Sequence, residues 1–488
     1  MKLFFSGHSE KYAVEQTLLT LFPQERPLYP EEAPGGDNEL ELSFSRGAVW
    51  STAFALLRRD GQTFARQCRV RTAELSEEDP VVATRLTRRT LQRAFYLAAV
   101  DCLGTEPPWG MLSGVRPVKL PTRAMEEGAT PRQAEAMLRD RYRVSPVRRQ
   151  LAMDCARASY DLKQSLKPEE ISLYVGIPFC PSRCAYCSFI SSSESANKLI
   201  PTYLEGLLRE IEASGAAVRA AGKTIRSVYI GGGTPTTLDA FQLRQLLAAI
   251  HDAFSLAPNT EFTVEAGRPD TITREKLEAI RDGGGNRISV DPQTMSDRVL
   301  AVIGRSHRAE EIRAAFALAR ESQVGAVNMD LIAGLPSDST DGFADTLNKV
   351  IAMGPENITV HTLALKRGAR LRQAKSPLPD GEEVARMLTY AWEALRASGY
   401  LPYYLYRQKY MSGSFENVGW CKSGTLNVYN ICMMEELHTV LSLGAGGITK
   451  AIGGGCVRRI ANPKYPQEYI RDIDRVIREK EAFFSPVL

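Results

Sequence analysis

Hydrophobic and polar positions follow one pattern up to about residue 165 and a different pattern after it. In the first part, short alternating segments predict β-strands, with Asp60-Gly61 as a hairpin turn, and longer amphipathic segments predict helices. The predicted strands are 2–5, 40–44, 50–56 and 63–70, and the predicted helices are 81–101 and 131–162. This pattern predicts a small α/β or α+β accessory domain over residues 1–165, which ends in the polar stretch 163–170.

From residue 171 onward, a strand, a loop and a helix-length segment repeat six times. The predicted strands are 173–177, 227–230, 262–265, 287–290, 326–332 and 358–363. Consecutive βα units form parallel strands joined by crossovers, so the fold class predicted for residues 166–398 is α/β, a partial (β/α)6 barrel. In such folds the chemistry lies at the carboxyl ends of the strands. Residues 399–488 are predicted to form a smaller C-terminal region that covers the substrate and ends in a helix over 463–483.

The composition is that of an ordinary globular protein, because apolar residues make up 44% and charged residues 24% of the 488 residues. It argues against a collagen-like or wholly disordered chain. The net charge of +4 is too small to predict a polyanionic partner, so we expect no nucleic-acid binding. The sequence shows no secretion-type segment and no apolar run of about 18 residues, so we expect a cytoplasmic protein that does not enter a membrane.

Three of the nine cysteines form a CX3CX2C array, Cys180, Cys184 and Cys187, directly after the first core strand. Random placement of nine cysteines would produce this spacing about 0.003 times in such a chain, so we interpret the array as a ligand set. Thiolates suit iron–sulfur clusters or zinc, and a short loop can hold a cubane cluster by three thiolates while its fourth iron stays open. A structural zinc site is the alternative, although no histidine or fourth cysteine follows at Ser188 or Phe189 to complete its coordination shell.

Glycine and polar residues follow the predicted strands at the end where chemistry is expected. In chain order they are the loop Gly231-Gly232-Gly233-Thr234, then Glu265, Gln293, Asp330 and His361. A glycine run lets backbone N–H groups approach a ligand closely, and polar groups at successive strand ends converge on one pocket. Each residue alone could be a satisfied structural group, but together they predict a binding site.

These motifs resemble the radical S-adenosylmethionine (SAM) family. The resemblance rests on the cysteine loop with Tyr186 before its last cysteine, the glycine loop, Glu265 and the segment 330–336. Segments 173–180, 286–289 with Gln293, and 303–305 are similar to the oxygen-independent coproporphyrinogen III oxidase branch, also called coproporphyrinogen dehydrogenases. Segments 109–110, 114–120 and 415–419 are similar to the HemZ subgroup of that branch, so the resemblance extends over nearly the whole chain.

The resemblance implies two cofactors, a 4Fe–4S cluster and SAM. The cluster would be bound by Cys180, Cys184 and Cys187, and its open iron would take the amino and carboxylate groups of SAM. One electron then cleaves the sulfonium to a 5′-deoxyadenosyl radical. The family's SAM contacts correspond to Tyr174, Gly233, Thr234, Glu265, Gln293, Arg305, Asp330, Ala364 and Ile448. No catalytic residue beyond the cluster and the SAM site is implied.

The resemblance also implies an activity, oxidative decarboxylation of two propionates of coproporphyrinogen III to vinyl groups, which gives protoporphyrinogen IX in anaerobic heme biosynthesis. The radical would abstract hydrogen from the propionate β-carbon, and loss of CO2 and one electron would leave the vinyl group. The implied partners are the tetrapyrrole substrate and an external one-electron donor such as flavodoxin or ferredoxin. Candidate cations for the substrate carboxylates are Arg116, Lys119, Lys366, Arg367 and Arg407, although solvated surface charge is the simpler interpretation of each. The sequence predicts no oligomeric state.

Two alternatives stay open. The known oxidases of the branch carry a fourth cysteine where this chain has Phe189, and the heme-trafficking relatives lack it, so a heme-trafficking protein without decarboxylase activity is the second hypothesis. Those relatives carry a His-Asn-Asn-X-Tyr-Trp stretch, whereas the corresponding segment here reads Asn427-Val428-Tyr429-Asn430-Ile431. Asp291-Pro292 replaces the Gly-Val of the branch before Gln293. A radical SAM enzyme with a different reaction on tetrapyrroles, such as a heme-opening methyltransferase, is the third hypothesis.

Overall fold

The computed structural model describes residues 1–75, 79–112, 114–187, 198–365, 369–372, 377–408, 415–453 and 456–485. The chain forms two compact units. One consists of Met1–Val115 and Ala129–Gln150, and the other of Arg116–Gly128 and Leu151–Leu488. The three-domain division at residues 165 and 398 stays a prediction.

The first unit contains a four-stranded sheet, as the alternating pattern predicted. Its strands are β1 (Lys2–Ser6), β2 (Glu39–Ser45), β3 (Trp50–Arg59) and β4 (Gln62–Arg71), in the spatial order β1-β2-β3-β4. Strands β1 and β2 are parallel, and the other pairs are antiparallel. The hairpin turn between β3 and β4 is confirmed at Asp60 and Gly61, whose φ angles of 53° and 71° suit the tight turns that join twisted strands.

The helices described in residues 1–165 are α1 (Lys11–Leu21), α2 (Pro80–Leu103), α3 (Lys119–Glu126), α4 (Pro131–Tyr142) and α5 (Pro146–Ser165), of which α3 and most of α5 belong to the second unit. The prediction of a single helix over 131–162 was wrong. Arg143 adopts a left-handed conformation with φ of 56°, and Pro146, which has no N–H group, begins the next helix. A capping box between Thr130 and Gln133 fixes the start of α4.

The second unit contains an eleven-stranded sheet. Its strands are β5 (Glu170–Ile177), β6 (Thr224–Gly232), β7 (Glu261–Glu265), β8 (Arg287–Ser289), β9 (Ala326–Ala333), β10 (Asn357–Thr362), β11 (Leu401–Arg407), β12 (Glu416–Cys421), β13 (Val440–Leu443), β14 (Ile448–Gly453) and β15 (Cys456–Ala461). Their spatial order is β11-β12-β10-β9-β8-β7-β6-β5-β13-β14-β15. Strands β5 to β10 are mutually parallel neighbours, which confirms all six predicted core strands.

Helices follow the parallel strands, as the α/β pattern predicted. They are α6 (Ile200–Ala220), α7 (Ala240–Phe254), α8 (Arg274–Asp282), α9 (Asp297–Val302), α10 (Ala309–Glu321), α11 (Thr340–Met353) and α12 (Gly381–Ala397). In the described residues the strands form an open sheet, so the fold is a partial barrel. Ile171, Leu173, Val175 and Ile177 alternate along β5 and form one almost fully buried face, and Ser172 and Gly176 on the other face are buried too, as expected for a parallel strand covered on both faces.

Residues 399–488 extend this sheet at both of its edges. Strands β11 and β12 pair antiparallel beside β10, whereas β13 pairs parallel with β5 and leads into the β14–β15 hairpin. The remaining helices of the second unit are α13 (Val428–Glu435), α14 (Pro466–Arg471) and α15 (Ile473–Phe484). The predicted helix over 463–483 is therefore two helices, interrupted at Asp472. None of the described helices combines the length and the apolar character needed to span a bilayer.

Candidate functional site

The three cysteines of the CX3CX2C array line one cavity. Their loop leaves the carboxyl end of β5, and Cys180, Cys184 and Cys187 all line this cavity. Backbone hydrogen bonds hold the loop: Ala185 N–H donates to the carbonyl of Ile303 over 2.9 Å, and Cys187 N–H donates to the carbonyl of Cys184 over 3.2 Å. The loop therefore places the three cysteine residues around one cavity.

The glycine loop packs backbone to backbone against the cysteine loop. Gly233 N–H donates to the carbonyl of Ile177 over 2.8 Å, and Thr234 N–H donates to the carbonyl of Phe179 over 2.7 Å. A Cβ atom at Gly233 would lie 2.8 Å from the backbone nitrogen of Phe179 and closer still to its carbonyl oxygen, so only glycine fits. Thr234 Oγ1 also lies 3.4 Å from Sγ of Cys180. The two loops thus form one continuous wall of the cavity.

Glu265, at the end of β7, is the carboxylate nearest the glycine loop. Its Oε1 accepts a hydrogen bond of 2.6 Å from the Tyr229 hydroxyl, and its Oε2 accepts one of 3.2 Å from Gly232 N–H. Burial raises the pKa of Glu265 to about 7, and the neighbouring Asp330 adds to this effect. The side chain can therefore exchange a proton near neutral pH, and it lines the cavity.

Two further carboxylates, Asp330 and Asp291, line the same cavity. Asp330 Oδ2 lies 3.3 Å from Nε2 of His361, and Asp330 Oδ1 accepts a hydrogen bond of 2.7 Å from Asn328. Burial opposes ionisation of Asp330, but the adjacent His361 outweighs it and holds the pKa of Asp330 below its usual value. Burial, reinforced by Asp330 and Glu265, raises the pKa of Asp291 well above its usual value. The cavity is therefore acidic on this side.

Gln293 and Arg305 complete the wall between β8 and β9. Gln293 has a φ of 66°, and its backbone exchanges hydrogen bonds of about 3 Å with Asp330 and Ile332. The guanidinium of Arg305 donates to the carbonyl of Asp291 over 2.9 Å and to the Tyr186 hydroxyl over 3.2 Å. Arg305 is 7% exposed, so a buried cation faces the cysteine loop from inside the cavity.

Seven of the nine predicted SAM contacts line the cavity: Gly233, Thr234, Glu265, Gln293, Arg305, Asp330 and Ala364. Tyr174 lies beneath it, in a stack with Tyr229 and Tyr429 whose ring centroids are 4.5 to 6.4 Å apart. Ile448 is not brought to the cavity, because it begins β14 beyond β13, and it is 44% exposed. The roles of all nine residues stay predictions.

The three candidate substrate cations that lie in the described residues do not line this cavity. Arg116 and Lys119 both pair with Glu436, over 2.7 and 2.5 Å, and Arg407 is 7% exposed on β11 and does not line the cavity. Lys366 and Arg367 lie outside the described residues, as do Ser188 and Phe189. Among the described lining residues, the basic side chains are Arg268, Arg305 and His361, of which the two arginines carry a fixed positive charge.

The lining residues that sequence reasoning did not assign to the site include Arg268, Asp291, Tyr406 and Asn417. Arg268 stands three positions after Glu265, and Asp291 two positions before Gln293, so proximity to a predicted site residue was the available signal. Tyr406 and Asn417 come from the antiparallel strands β11 and β12; segment 415–419 was noted for its similarity to the HemZ subgroup, but nothing in the sequence placed it at the cavity. They extend the cavity beyond the predicted SAM contacts.

The donor set fits a cluster with three protein ligands. In the described part of the chain, no three His, Cys, Asp or Glu side chains lie close enough together to share one metal ion. Cys180, Cys184 and Cys187 nevertheless line one cavity, and three thiolates can hold a cubane cluster whose fourth iron stays open. Beside the thiols, the glycine loop, the carboxylates and Arg305 supply groups suited to the ammonium, hydroxyl and carboxylate groups of SAM.

Comparisons with known proteins agree with this site. Residues 174–350 match the radical SAM superfamily. The oxygen-independent coproporphyrinogen-III oxidase-like protein HemZ of Bacillus subtilis (strain 168) is 35% identical over 392 residues, which cover 79% of this chain and 78% of the relative. The chain therefore belongs to the radical SAM superfamily, in the family of oxygen-independent coproporphyrinogen III oxidase-like proteins. Its cofactors are a 4Fe–4S cluster and SAM, as the sequence motifs predicted.

Two more relatives indicate the range of the family. The heme chaperone HemW of Haemophilus influenzae is 27% identical over 62% of this chain and 76% of its own. The solved structure of coproporphyrinogen III oxidase (HemN) from Escherichia coli, a radical SAM enzyme, has a TM-score of 0.53 and 25% identity over 65% of this chain and 73% of its own. The family thus contains both named oxidases and named heme chaperones.

Proposed function

We propose that the protein catalyses radical SAM oxidative decarboxylation of coproporphyrinogen III, converting two propionate side chains to vinyl groups and giving protoporphyrinogen IX. The observation that supports this proposal is the single cavity that joins the three thiols and the predicted SAM contacts to a further wall formed by His361, Tyr406 and Asn417. This wall offers a place for a substrate side chain next to the cofactors.

The proposed reaction balances for each propionate. When bound and reduced by one electron, the two cofactors supply a hydrogen-abstracting radical at the substrate. A hydrogen atom leaves the β-carbon, the bond to the carboxylate carbon breaks, CO2 departs, and one electron leaves for an acceptor as the vinyl bond forms. An external one-electron donor of the flavodoxin or ferredoxin class would reduce the cluster.

The chain's own residues bind and orient the reactants in this proposal. Glu265 and Asp330 accept hydrogen bonds from the ammonium or ribose hydroxyl groups of SAM, and Arg305 donates to its carboxylate. Arg305 is buried and the two carboxylates are half-buried, which strengthens these contacts because the surrounding dielectric constant is lower than that of water. His361, paired with Asp330, lies where a substrate propionate can accept a hydrogen bond from it.

Heme trafficking is the second candidate function, favoured by the relatives named as heme chaperones. One observation weighs against it. The segment that corresponds to the His-Asn-Asn-X-Tyr-Trp stretch is buried: the Asn427 side chain caps α13 and donates to Thr263 over 3.1 Å, and Tyr429 is 4% exposed. A buried structural segment offers no exposed ligand to a heme.

Product analysis tests the proposal. The protein, reconstituted with iron and sulfide without oxygen, is supplied with SAM, a reductant and coproporphyrinogen III, and the products are identified by mass spectrometry. Loss of two CO2 per tetrapyrrole together with 5′-deoxyadenosine formation supports the decarboxylase. Tight heme binding without decarboxylation supports trafficking, and a tetrapyrrole altered without loss of CO2 supports another radical SAM reaction. Where a cluster cysteine is substituted in this assay, the matched control is Cys456→Ser, which changes a cysteine in the exposed strand β15.

A further inference from the structure

Arg268 is a buried cation beside the cluster-binding loop that the motif analysis did not identify. It follows β7 by three positions, and its side chain is 4% exposed. A guanidinium cannot lose its charge at physiological pH, so its burial requires nearby acceptors or negative charge. The contacts of Arg268 therefore indicate what its charge acts on.

The guanidinium of Arg268 connects a carboxylate to a cluster ligand. Nε and Nη2 donate to the two carboxylate oxygens of Asp270 over 3.1 and 3.0 Å. Nη1 points to the cysteine loop, where it donates to Oγ of Ser182 over 2.9 Å and to Sγ of Cys184 over 3.8 Å. The bidentate pair with Asp270 fixes the guanidinium plane and so directs Nη1 at the sulfur.

The turn that carries Arg268 and Asp270 is itself held in place. Thr271 Oγ1 donates to the carbonyl of Arg268 over 2.8 Å, and the hydroxyls of Thr236 and Thr271 are 2.6 Å apart. These bonds tie the turn to the segment that follows the glycine loop. A donor supported in this way is preorganised, because its geometry does not depend on bound ligands.

We propose that Arg268 is a positioning residue for the 4Fe–4S cluster, which donates a charge-assisted N–H···S hydrogen bond to the Cys184 thiolate and makes the cluster easier to reduce. Reduction adds negative charge to the cluster, and hydrogen bonds to its sulfurs and nearby positive charge stabilise that state. Asp270 offsets part of this charge while it holds the donor in place. The inference rests on the cluster and not on the tetrapyrrole reaction.

Arg305, the other buried arginine of the cavity, has different partners. Its Nη1 donates to the carbonyls of Gly267 and Asp291 over 3.1 and 2.9 Å, and its Nη2 donates to the Tyr186 hydroxyl over 3.2 Å. Of these two arginines, Arg268 is the one that donates a hydrogen bond to the sulfur of Cys184. The two cations therefore divide between the cluster ligand and the predicted SAM site.

A redox titration of the anaerobically reconstituted holoprotein, followed by the EPR signal of the reduced cluster and without tetrapyrrole, tests the proposal. Arg268→Gln removes the charge, and at a fixed solution potential we expect the ratio of reduced to oxidised cluster to fall about tenfold, which is about 59 mV for one electron. Arg268→Lys keeps a positive charge but lacks the guanidinium fork that Asp270 holds, so the ratio should fall less than in Arg268→Gln. Arg274→Gln, which breaks an exposed ion pair with Glu321, is the control and should leave the ratio unchanged.

The iron content of each variant shows whether the substitution changes the potential of the cluster or prevents the cluster from assembling. An iron-loaded Arg268→Gln protein with the parental potential overturns the proposal. If Arg268→Gln takes up no iron, Arg268→Lys decides: a potential below the parental one supports the proposal, and an unchanged or higher one overturns it. Loss of iron from both variants assigns Arg268 to loop assembly alone and also overturns the proposal. A parental protein that loads the cluster but does not decarboxylate contradicts only the proposed function.

Discussion

The hydroxyl group of Tyr229 donates a hydrogen bond of 2.6 Å to Oε1 of Glu265 at the floor of the cavity. Gly232 N–H donates to the other oxygen over 3.2 Å. These bonds favour the ionised carboxylate, but burial outweighs them, and the pKa of Glu265 rises to about 7. The proton on this side chain therefore links the stability of the apoprotein to pH.

The first prediction concerns Glu265→Gln in the apoprotein. Because the pKa of Glu265 is raised from 4.5 to about 7 on folding, the folded protein holds the proton more tightly than the unfolded chain. The stability that this proton confers is present below about pH 4.5 and is lost as the pH rises to about 7. The neutral glutamine avoids this loss. The melting temperature of the Glu265→Gln protein minus that of the parental protein should therefore increase between pH 5 and pH 8.

Differential scanning fluorimetry at several pH values measures this change. Glu310→Gln is the matched control, because the Glu310 side chain is 81% exposed and pairs with Arg313 on the surface. The difference in melting temperature between Glu310→Gln and the parental protein should be the same at every pH. If the melting temperatures of Glu265→Gln and the parental protein differ by the same amount at pH 5 and at pH 8, Glu265 does not bind a proton on folding, and the prediction is wrong.

The second prediction concerns Tyr429, the central aromatic residue of the segment that differs from the heme-trafficking relatives. The centroid of its ring lies 4.5 Å from the ring centroid of Tyr229 and 6.3 Å from that of Tyr174. Its backbone N–H donates to Oε1 of Glu261 over 2.9 Å. Tyr429→Ala should lower the free energy of unfolding by about 3–5 kcal/mol, as expected when a buried aromatic ring is truncated. Urea denaturation measures the loss.

Heme titration of the same variant separates the structural role of Tyr429 from a heme-binding one. If Tyr429 only packs against Tyr174 and Tyr229, the folded variant keeps whatever heme affinity the parental protein has. A variant of unchanged stability that specifically loses heme binding would favour the trafficking function. Tyr465→Ala, which truncates a tyrosine that is 49% exposed before α14, is the control for stability.

The cysteine loop, the glycine loop and the strand-end residues could be predicted because each depends on local spacing. Cys180 to Cys187 lie within one loop, and Glu265 and Asp330 belong to strands whose hydrophobic runs identify them as parallel and buried. Parallel strands bring their carboxyl ends to one edge. The convergence of these residues on one cavity therefore follows from the pattern of strands.

Long-range side-chain pairs could not be predicted in this way. The contact between Arg268 and Cys184 joins residues 84 positions apart, and it depends on the carboxylate of Asp270 holding the guanidinium. The interrupted helix at Arg143 depends on a left-handed non-glycine residue, which propensity does not predict. Ile448 was assigned by resemblance alone, and no periodicity indicated which edge of the sheet β14 would join.

The third prediction concerns Gly233→Ala. A Cβ atom at this position would overlap the backbone of Phe179, which lies on the cysteine loop and cannot move without displacing Cys180. We expect the variant to fold but to bind less than half of the parental iron after reconstitution, as measured by a colorimetric iron assay. Gly453→Ala is the matched control, because a Cβ atom there meets no atom within 4 Å. Equal iron content in the two variants would show that the loops do not need this close approach.

The fourth prediction concerns Cys184→Ser. Cys184 is 8% exposed, its thiol lines the cavity, and Arg268 donates to its sulfur, so its loss removes one of three cluster ligands and the acceptor of that hydrogen bond. A serine hydroxyl is a poor ligand for iron beside two thiolates, so cluster assembly and SAM cleavage should both be abolished. The fold should persist, because serine is close to cysteine in size and the sheet does not depend on this side chain.

Anaerobic absorbance spectra and assay of 5′-deoxyadenosine measure the loss, with Cys456→Ser as the control that keeps both signals. A Cys184→Ser protein that forms 5′-deoxyadenosine at the parental rate would contradict the assignment of this loop to the cluster.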